Sequence, residues 1–312
     1  MNNIYSIVPS SSGVALKALW TDSASNGFAA GYTSMAVVKL GEKTILYAYN
    51  KDLKTTGVYV LSDAAPWVAR ADVHADLAGG PWDMMSSFVL GNTPYLMTYS
   101  SEDGAFGFFA VHTDLTVSKP YDFVLPRNTP TKGFTMVAPY SSVGMQYFSG
   151  YSFDTGIVAN FSLAVTATSP ADVPPLLALN VWYHQWAKGW SHFAFFQMGG
   201  ANFFFKINRD KLNVNIDHMQ DNPAMGSVEV GSYLQAQLPD ALKIDSTAAI
   251  PWADGEPYLA TYVAATGEMT IYRIHVDCQG WTSLCSATTV ARATQTVPYR
   301  IGGTSFLLFY AA

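Results

Sequence analysis

The chain has 312 residues, of which 49% are hydrophobic, 14% are aromatic and only 13% are charged. Average domains carry about 25% charged residues, so neutral polar side chains must cover much of this surface. The net charge of −6 and the lack of a basic cluster argue against a nucleic-acid partner. No run of about 18 apolar residues occurs, which predicts that the chain does not enter a membrane.

The first residues read MNNIYSIVPSSSG and contain neither a basic segment nor a long apolar one. We therefore expect no secretory signal and a cytoplasmic protein. The two cysteines, Cys278 and Cys285, are too few for a cysteine-based zinc site, and two thiols are expected rather than a disulfide loop. No histidine pair has metal-ligand spacing and no phosphate- or dinucleotide-binding motif occurs, so we expect neither a metal nor a cofactor.

One hairpin pattern recurs about every fifty residues. Each copy is an apolar and aromatic run, a short polar turn and a second alternating run, which is typical of a β-hairpin. Five copies occur, at 44–63, 94–113, 145–163, 202–219 and 257–276. A tyrosine closes the first run at Tyr49, Tyr99, Tyr151 and Tyr262, and Lys206 is taken to fill that place in the fourth copy.

A further predicted strand and a turn precede each hairpin. These strands cover 34–40, 84–90, 134–140, 192–198 and 247–252. The turns contain glycine, which permits the positive φ that tight hairpin turns require. The turn glycines are Gly41, Gly91, Gly144, Gly200 and Gly255. The repeating unit is therefore at least three strands in meander order, with a more variable fourth.

The sixth copy is divided between the two ends of the sequence. The segment 294–312 supplies two strands, a turn at Gly303 and the tyrosine Tyr310, while MNNIYSIVP and VALKALW (14–20) continue the pattern as third and fourth strands. Six units over 312 residues average 52 residues each. We therefore predict one all-β domain over 1–312, a six-bladed β-propeller with four antiparallel strands per blade, whose last blade is closed by the N- and C-terminal strands. A β-sandwich is the alternative fold.

The first strand of each blade is expected to line the central channel. Counting back from the tyrosine positions places one tier of side chains at Met35, Met85, Met136, His192, Thr247 and Thr296. Two residues earlier, on the same face, a second tier contains Thr33, Asp83, Phe134, Trp190, Asp245 and Thr294. A slip of one residue would move a side chain to the other face.

Two interpretations of these tiers remain open. The methionines either pack between blades or form a wide, soft pocket at the channel mouth with a few polar groups. The candidate catalytic residues are His192, Asp83 and Asp245. The candidate substrate-binding residues are Met35, Trp82, Met85, Met136, Trp186, Trp190, Thr247 and Thr296. The tryptophan-rich stretch 180–190 is interpreted either as a lid or aromatic wall, or as an outer strand packed between blades.

The number of repeats, the blade pattern and the length resemble the six-bladed fucose-binding lectins of fungi and bacteria. In those lectins each inter-blade pocket uses a repeated arginine, a glutamate or glutamine, and an aromatic ring. Here the six arginines occupy different positions of the repeat and form no column: Arg70, Arg127, Arg209, Arg273, Arg292 and Arg300. Multivalent sugar binding needs equivalent pockets, so this departure weakens the lectin interpretation.

Loss of symmetry suggests one asymmetric site at the channel mouth. A pocket without a visible nucleophile or carboxylate pair suits cyclisation or cycloaddition of a reactive apolar substrate, because orientation supplies most of the rate. The pattern is similar to fungal pericyclases of the hetero-Diels–Alderase type, which implies an enzyme of secondary metabolism. The alternatives are a carbohydrate-binding lectin and a propeller that serves as an interaction scaffold, so the expected partner is an apolar small molecule or a glycan.

Overall fold

The computed structural model describes residues 2–10, 13–22, 27–77, 80–118, 131–165, 176–208, 210–211, 213–220, 226–234, 243–251, 256–278 and 280–311. Within these ranges the chain forms 24 β-strands, and no helix is long and apolar enough to span a membrane. In chain order the strands are β1 (Asn3–Ser10), β2 (Gly13–Thr21), β3 (Ser34–Leu40), β4 (Lys43–Asn50), β5 (Thr55–Leu61), β6 (Val68–Arg70), β7 (Met84–Leu90), β8 (Thr93–Ser100), β9 (Ala105–Val111), β10 (Val117–Ser118), β11 (Met136–Ser142), β12 (Met145–Tyr151), β13 (Ile157–Val165), β14 (Leu176–Gln185), β15 (Trp190–Met198), β16 (Ala201–Asn208), β17 (Asn213–Met219), β18 (Ser227–Leu234), β19 (Ser246–Ile250), β20 (Tyr258–Val263), β21 (Glu268–Ile274), β22 (Trp281–Thr288), β23 (Gln295–Ile301) and β24 (Thr304–Tyr310).

The strands form six antiparallel sheets of four strands each, which confirms the six-bladed β-propeller. Blades 1 to 5 are the successive groups β3–β6, β7–β10, β11–β14, β15–β18 and β19–β22, and blade 6 has the order β2-β1-β24-β23. The innermost strands lie beside one another around the ring, in the order β3, β7, β11, β15, β19 and β23, and β23 lies beside β3 again. The first residues of these six strands therefore surround one end of the central channel.

Blade 6 joins the two terminal strands, as predicted. In the pairing of β1 with β24, Asn3 lies opposite Phe309 and Ile4 lies opposite Leu308. Ile4, Phe309 and Leu308 are fully buried. The ring is thus closed by main-chain hydrogen bonds between strands that are about 300 residues apart in sequence.

The hydrophobic core consists of layers between successive blades. One buried cluster lies between blades 6 and 1, one between blades 1 and 2, and one between blades 2 and 3. Two lie between blades 3 and 4, one between blades 4 and 5, and one between blades 5 and 6. Because a blade has neighbours on both faces, its second strand is apolar along almost its whole length, as KTILYAYN in β4 shows. This continuous apolarity explains why the second strands were the clearest part of the repeat.

The repeated tyrosine fastens each blade to the connection that leads into the next. The hydroxyl of Tyr99 donates to the carbonyl of Thr131 at 2.5 Å and accepts the N–H of Phe134 at 2.8 Å. The hydroxyls of Tyr151, Tyr262 and Tyr310 make the same pair of bonds with the next blade, and that of Tyr49 donates to the carbonyl of Gly80. Each of these tyrosines therefore holds the connection that leads into the next inner strand.

Blade 4 departs from this column, and the assignment of Lys206 to it was wrong. Asn208 lies opposite the first residue of the inner strand, Trp190, and its amide donates to the carbonyl of Lys188 at 2.7 Å. Lys206 lies two residues earlier and faces blade 3. Its neighbour Ile207 packs toward blade 5, as each tyrosine packs toward the blade that follows it, so Ile207 occupies the tyrosine position.

The turn glycines Gly41 and Gly91 have positive φ, 59° and 62°, as tight hairpin turns require. In the sixth turn Gly302, at 56°, has this conformation rather than the expected Gly303. Gly255 and the end of the predicted strand 247–252 lie outside the described residues.

Candidate functional site

A pocket of about 580 Å³ occupies the end of the channel where the six inner strands begin. Its wall consists of the first residues of these strands and the residues just before them. The lining is Thr33, Ser34, Met35, Asp83, Met84, Met85, Thr135, Met136, Val137, Phe153, Trp190, Ser191, His192, Phe193, Asp245, Ser246, Thr247 and Gln295. We call this the central pocket. Ten of these eighteen side chains are polar, so the pocket is more mixed than the mainly apolar site that the sequence suggested.

Three methionines of the predicted tier pack between blades and also line the central pocket. Met35, Met85 and Met136 are each less than 10% exposed and belong to clusters between blades. The same three residues line the central pocket together with Met84, which was not among the predicted site residues. Four flexible thioethers therefore form one part of the wall, which suits a surface that must adapt to an apolar ligand.

Asp83 and Asp245 lie at the pocket and also hold the backbone of their blades. One oxygen of Asp83 accepts the N–H of Ser101 at 2.6 Å, and Asp245 accepts the N–H of Ala264 at 2.7 Å. Each of these amides comes two residues after a closing tyrosine. The hydroxyls of Thr33 and Thr135 accept the equivalent N–H groups in blades 1 and 3. The aspartates are thus members of a repeated capping position.

The electrostatics of Asp83 make it a poor acid. Burial raises its pKa, but the ammonium of Lys51 and the hydroxyl and N–H of Ser101 outweigh that effect and lower the pKa below its ordinary value. Asp83 is therefore ionised at neutral pH and cannot deliver a proton. Glycoside hydrolysis by two carboxyl groups needs one that stays protonated, and Asp83 does not meet that requirement. Among the described residues, no three His, Cys, Asp or Glu side chains lie together as a metal would require.

The predicted tiers were displaced in blades 3 and 4. In blade 3 the capping position holds Thr135, while Phe134 is fully buried and packs on Tyr99 with ring centroids 5.9 Å apart. In blade 4 Trp190 begins the strand itself, and Gly189 precedes it. The reason in blade 4 is a bulge: β15 pairs with β16 at Ser191 and resumes at Ala194. Counting residues cannot detect such an insertion.

The bulge in β15 shapes the conformation of His192. His192 has φ of 56°, the left-handed region that residues other than glycine adopt rarely. Its Nδ1 lies 2.6 Å from the hydroxyl of Ser191, and its carbonyl accepts the hydroxyl of Thr247, in blade 5, at 2.6 Å. Backbone strain of this kind persists where the surroundings hold it, and it is concentrated at functional sites. His192, Phe193 and Trp190 line the central pocket together.

The remaining candidates lie outside the central pocket. Trp82 is 3% exposed, packs edge-on against Phe109 and donates its indole N–H to the carbonyl of Leu77 at 2.9 Å. Thr296 meets the hydroxyl of Ser246 at 3.0 Å. Trp186 lines a different pocket. The structure thus brings together eight predicted residues, Met35, Asp83, Met85, Met136, Trp190, His192, Asp245 and Thr247.

Two further cavities are present. One, of about 550 Å³, lies between blades 3 and 4 and includes Trp186; we call it the inter-blade pocket. The other, of about 440 Å³, lies at the opposite end of the channel and is lined by residues such as Tyr140, Phe196 and Pro251. The structure therefore combines the two interpretations of the tryptophan-rich stretch 180–190. Its first part belongs to the outer strand β14, and Trp182, Trp186 and Trp190 form an aromatic wall of the inter-blade pocket.

No protein-family model matches the sequence, and no curated protein matches it either. Solved structures do match the fold. A candidate 6-phosphogluconolactonase from Bacteroides fragilis superimposes with a TM-score of 0.55 at 12% identity, over 96% of this chain and 85% of its own. An exo-β-1,3-galactanase from Phanerochaete chrysosporium gives 0.53 at 11% identity, over 98% and 70%. An α-L-arabinofuranosidase from Clostridium thermocellum gives 0.53 at 12% identity, over 82% and 94%. At these identities the likeness establishes a shared β-propeller fold.

Proposed function

We propose that the protein is an enzyme that binds a small, largely apolar molecule in the central pocket and catalyses its cofactor-independent cyclisation or cycloaddition. The observation that carries this proposal is His192, held in a left-handed conformation by a strand bulge beside Trp190, Phe193 and four methionines. Aromatic rings and thioethers can fold an apolar substrate, and the imidazole can hydrogen-bond to its carbonyl group.

The chemistry of a pericyclic reaction fits this set of side chains. In a hetero-Diels–Alder cycloaddition two σ bonds form as π bonds are consumed, and no proton or leaving group has to be exchanged. The enzyme then contributes orientation, which can be worth about 7–11 kcal/mol in favourable cases, and a hydrogen bond to the oxygen on which charge develops. An ionised Asp83 and a capping Asp245 are compatible with this role, because neither has to act as an acid.

The test is a cycloaddition assay with enone or quinone-methide heterodienes and terpenoid alkenes, measuring the rate and the enantiomeric excess of the product. We expect a stereochemically pure adduct with at least one pair. Replacing His192 by Ala should lower kcat/KM by about 10²–10³, the usual cost of removing such a hydrogen-bond donor. The matched control is His275→Ala, on the exposed outer part of blade 5, which should leave the rate unchanged.

Racemic product at the uncatalysed rate with every pair would contradict the proposal. So would an equal loss of activity in both histidine variants, because the effect would then not come from the central pocket.

A further inference from the structure

Apart from Trp190, which also lines the central pocket, the inter-blade pocket contains groups that the proposed reaction does not use. It opens between the outer strand of blade 3 and strands β15 to β18 of blade 4. Its lining is Trp182, His184, Trp186, Ala187, Trp190, Lys206, Asn215, Asp217 and Ser227. Three tryptophans therefore surround a lysine, an aspartate and neutral polar groups.

A buried ion pair forms the base of this pocket. Lys206 Nζ lies 2.8 Å from Asp217 Oδ2, and both side chains are only 5% exposed. The ammonium also lies over the rings of Trp186 and Trp190, at 4.1 and 4.6 Å from their centroids. The second carboxylate oxygen, Asp217 Oδ1, is buried and has no hydrogen-bond partner among the described residues. A buried acceptor in this state is costly, and a donor on a ligand would satisfy it.

The other blades show that the fold does not need this pair. Lys206 lies two residues before the end of the second strand and faces the preceding blade, and Asp217 on the third strand lies opposite Phe204. The positions that face the preceding blade in the same way in blades 1, 2, 3, 5 and 6 are Ala48 with Tyr59, Thr98 with Phe109, Gly150 with Phe161, Thr261 with Tyr272, and Phe309 with Tyr5. None combines a cation with a carboxylate.

A buried ion pair is expensive to desolvate, and apolar replacements of similar volume are often neutral or stabilising. The other five blades have other residues at these positions. The pair in blade 4 is thus poorly explained by stability, and its place at the base of a pocket offers an alternative reason for its presence.

The charges limit the kind of ligand. Lys206 and Asp217 neutralise each other, so a charged ligand would bring an uncompensated charge into a buried place. A neutral ring with neighbouring hydroxyl groups can donate to the carboxylate and accept from the ammonium. Its apolar face can lie against a tryptophan, while Asn215 and Ser227 offer further polar contacts.

We propose that the inter-blade pocket is a second binding site, distinct from the central pocket, which takes a neutral ring compound with neighbouring hydroxyl groups, such as a monosaccharide. Among the described residues this ion pair belongs to blade 4 alone, so one such site per chain is expected. A free sugar, a cyclic polyol and the end of a glycan chain share this chemistry.

The test uses the full-length protein and ligand-observed NMR with isothermal titration calorimetry. The probes are methyl glycosides of fucose, galactose, glucose and mannose, myo-inositol, and oligosaccharides that end in the same sugars. We expect one site per chain for at least one probe. Tighter binding of the oligosaccharide than of its methyl glycoside would identify a glycan end, and the reverse would identify a free sugar or polyol.

The decisive variant is Lys206→Met with Asp217→Ala, which replaces the ion pair by apolar side chains. It should keep or raise the urea midpoint and weaken binding about tenfold or more, because hydrogen bonds to charged groups are lost. Met97→Leu, a conservative change at a buried position of blade 2 that does not line the inter-blade pocket, is the control and should bind as the wild type does. If the double variant fails to fold, Trp182→Leu removes one aromatic wall and should weaken binding instead.

Absence of binding across all probes would overturn the proposal. Unchanged binding in both the double variant and Trp182→Leu would do the same, since the sugar would then occupy another place.

Discussion

At the scale of single residues, the site depends on side chains whose conformation or charge the surroundings hold in place. His192 is the main example, because a bulge, a neighbouring hydroxyl and a hydrogen bond from blade 5 together maintain its positive φ. Asp83 is another, because Lys51 and Ser101 keep it ionised. Residue types alone suggested both as catalytic groups, whereas their surroundings distinguish a candidate hydrogen-bond donor from a backbone cap.

The left-handed backbone of His192 predicts a specific pattern of stability. Asparagine tolerates this conformation, and a β-branched residue does not. We expect His192→Asn to change the free energy of unfolding little, and His192→Val to lower it by about 1–2 kcal/mol. Urea unfolding of both variants measures this difference. Equal stabilities would mean that the strain at residue 192 is absent.

At the scale of elements, the tyrosine at the end of the second strand links successive blades. Its hydroxyl donates to a carbonyl on the connection and accepts an N–H near the next inner strand, which for Tyr99 belong to the half-buried Thr131 and the fully buried Phe134. The column was visible in the sequence because tyrosine recurs at a regular interval. Its function was not, because hydrogen bonds between blades leave no pattern in the spacing.

Removing one such hydroxyl should therefore cost more than a surface hydrogen bond would. We expect Tyr99→Phe to lower the free energy of unfolding by about 1–3 kcal/mol, since both partners lose their hydrogen bond. Chemical denaturation provides the measurement. The half-exposed Tyr183 on β14 is the control, and Tyr183→Phe should stay within about 0.5 kcal/mol of the wild type. Similar losses in the two variants would argue against the linking role.

Some features of the strands and turns could be predicted from the sequence, and others could not. The strands, the hairpins and most turn positions could be predicted, since apolar alternation and glycine spacing are local signals. The register in blade 4 could not, because the bulge at His192 and Phe193 adds residues without altering the apolar pattern. Lys206 was missed for a related reason: it was read as a substitute for tyrosine, and its partner Asp217 lies on another strand.

At the scale of the whole molecule, the ring is closed by the strands at the two ends of the sequence. β24 is nearly fully buried and pairs with β23 on one side and β1 on the other. The inner strands can surround a pocket only while this closure holds. The architecture and the site are therefore coupled, although no residue of β24 lines the central pocket.

Deleting residues 306–312 should open the ring and unfold the whole protein, because it removes Phe309, Tyr310 and the strand that joins the ends. Circular dichroism and limited proteolysis would report the loss of a cooperative transition. Deleting only 311–312, beyond the end of β24, should leave the transition nearly unchanged. A stable, cooperatively folded protein without residues 306–312 would disprove the closure.

The central claim, that an apolar small molecule binds at the beginning of the inner strands, can be tested directly by methyl NMR of ¹³C-methionine protein. Four of the eleven methionines line the central pocket, Met35, Met84, Met85 and Met136, and none lines the other two pockets. Titration with apolar polyketides and terpenoids should shift these four methyl signals together, while the signal of the exposed Met145 stays in place. If no compound shifts them, or if a bound compound shifts only methionines elsewhere, the central pocket is not the binding site.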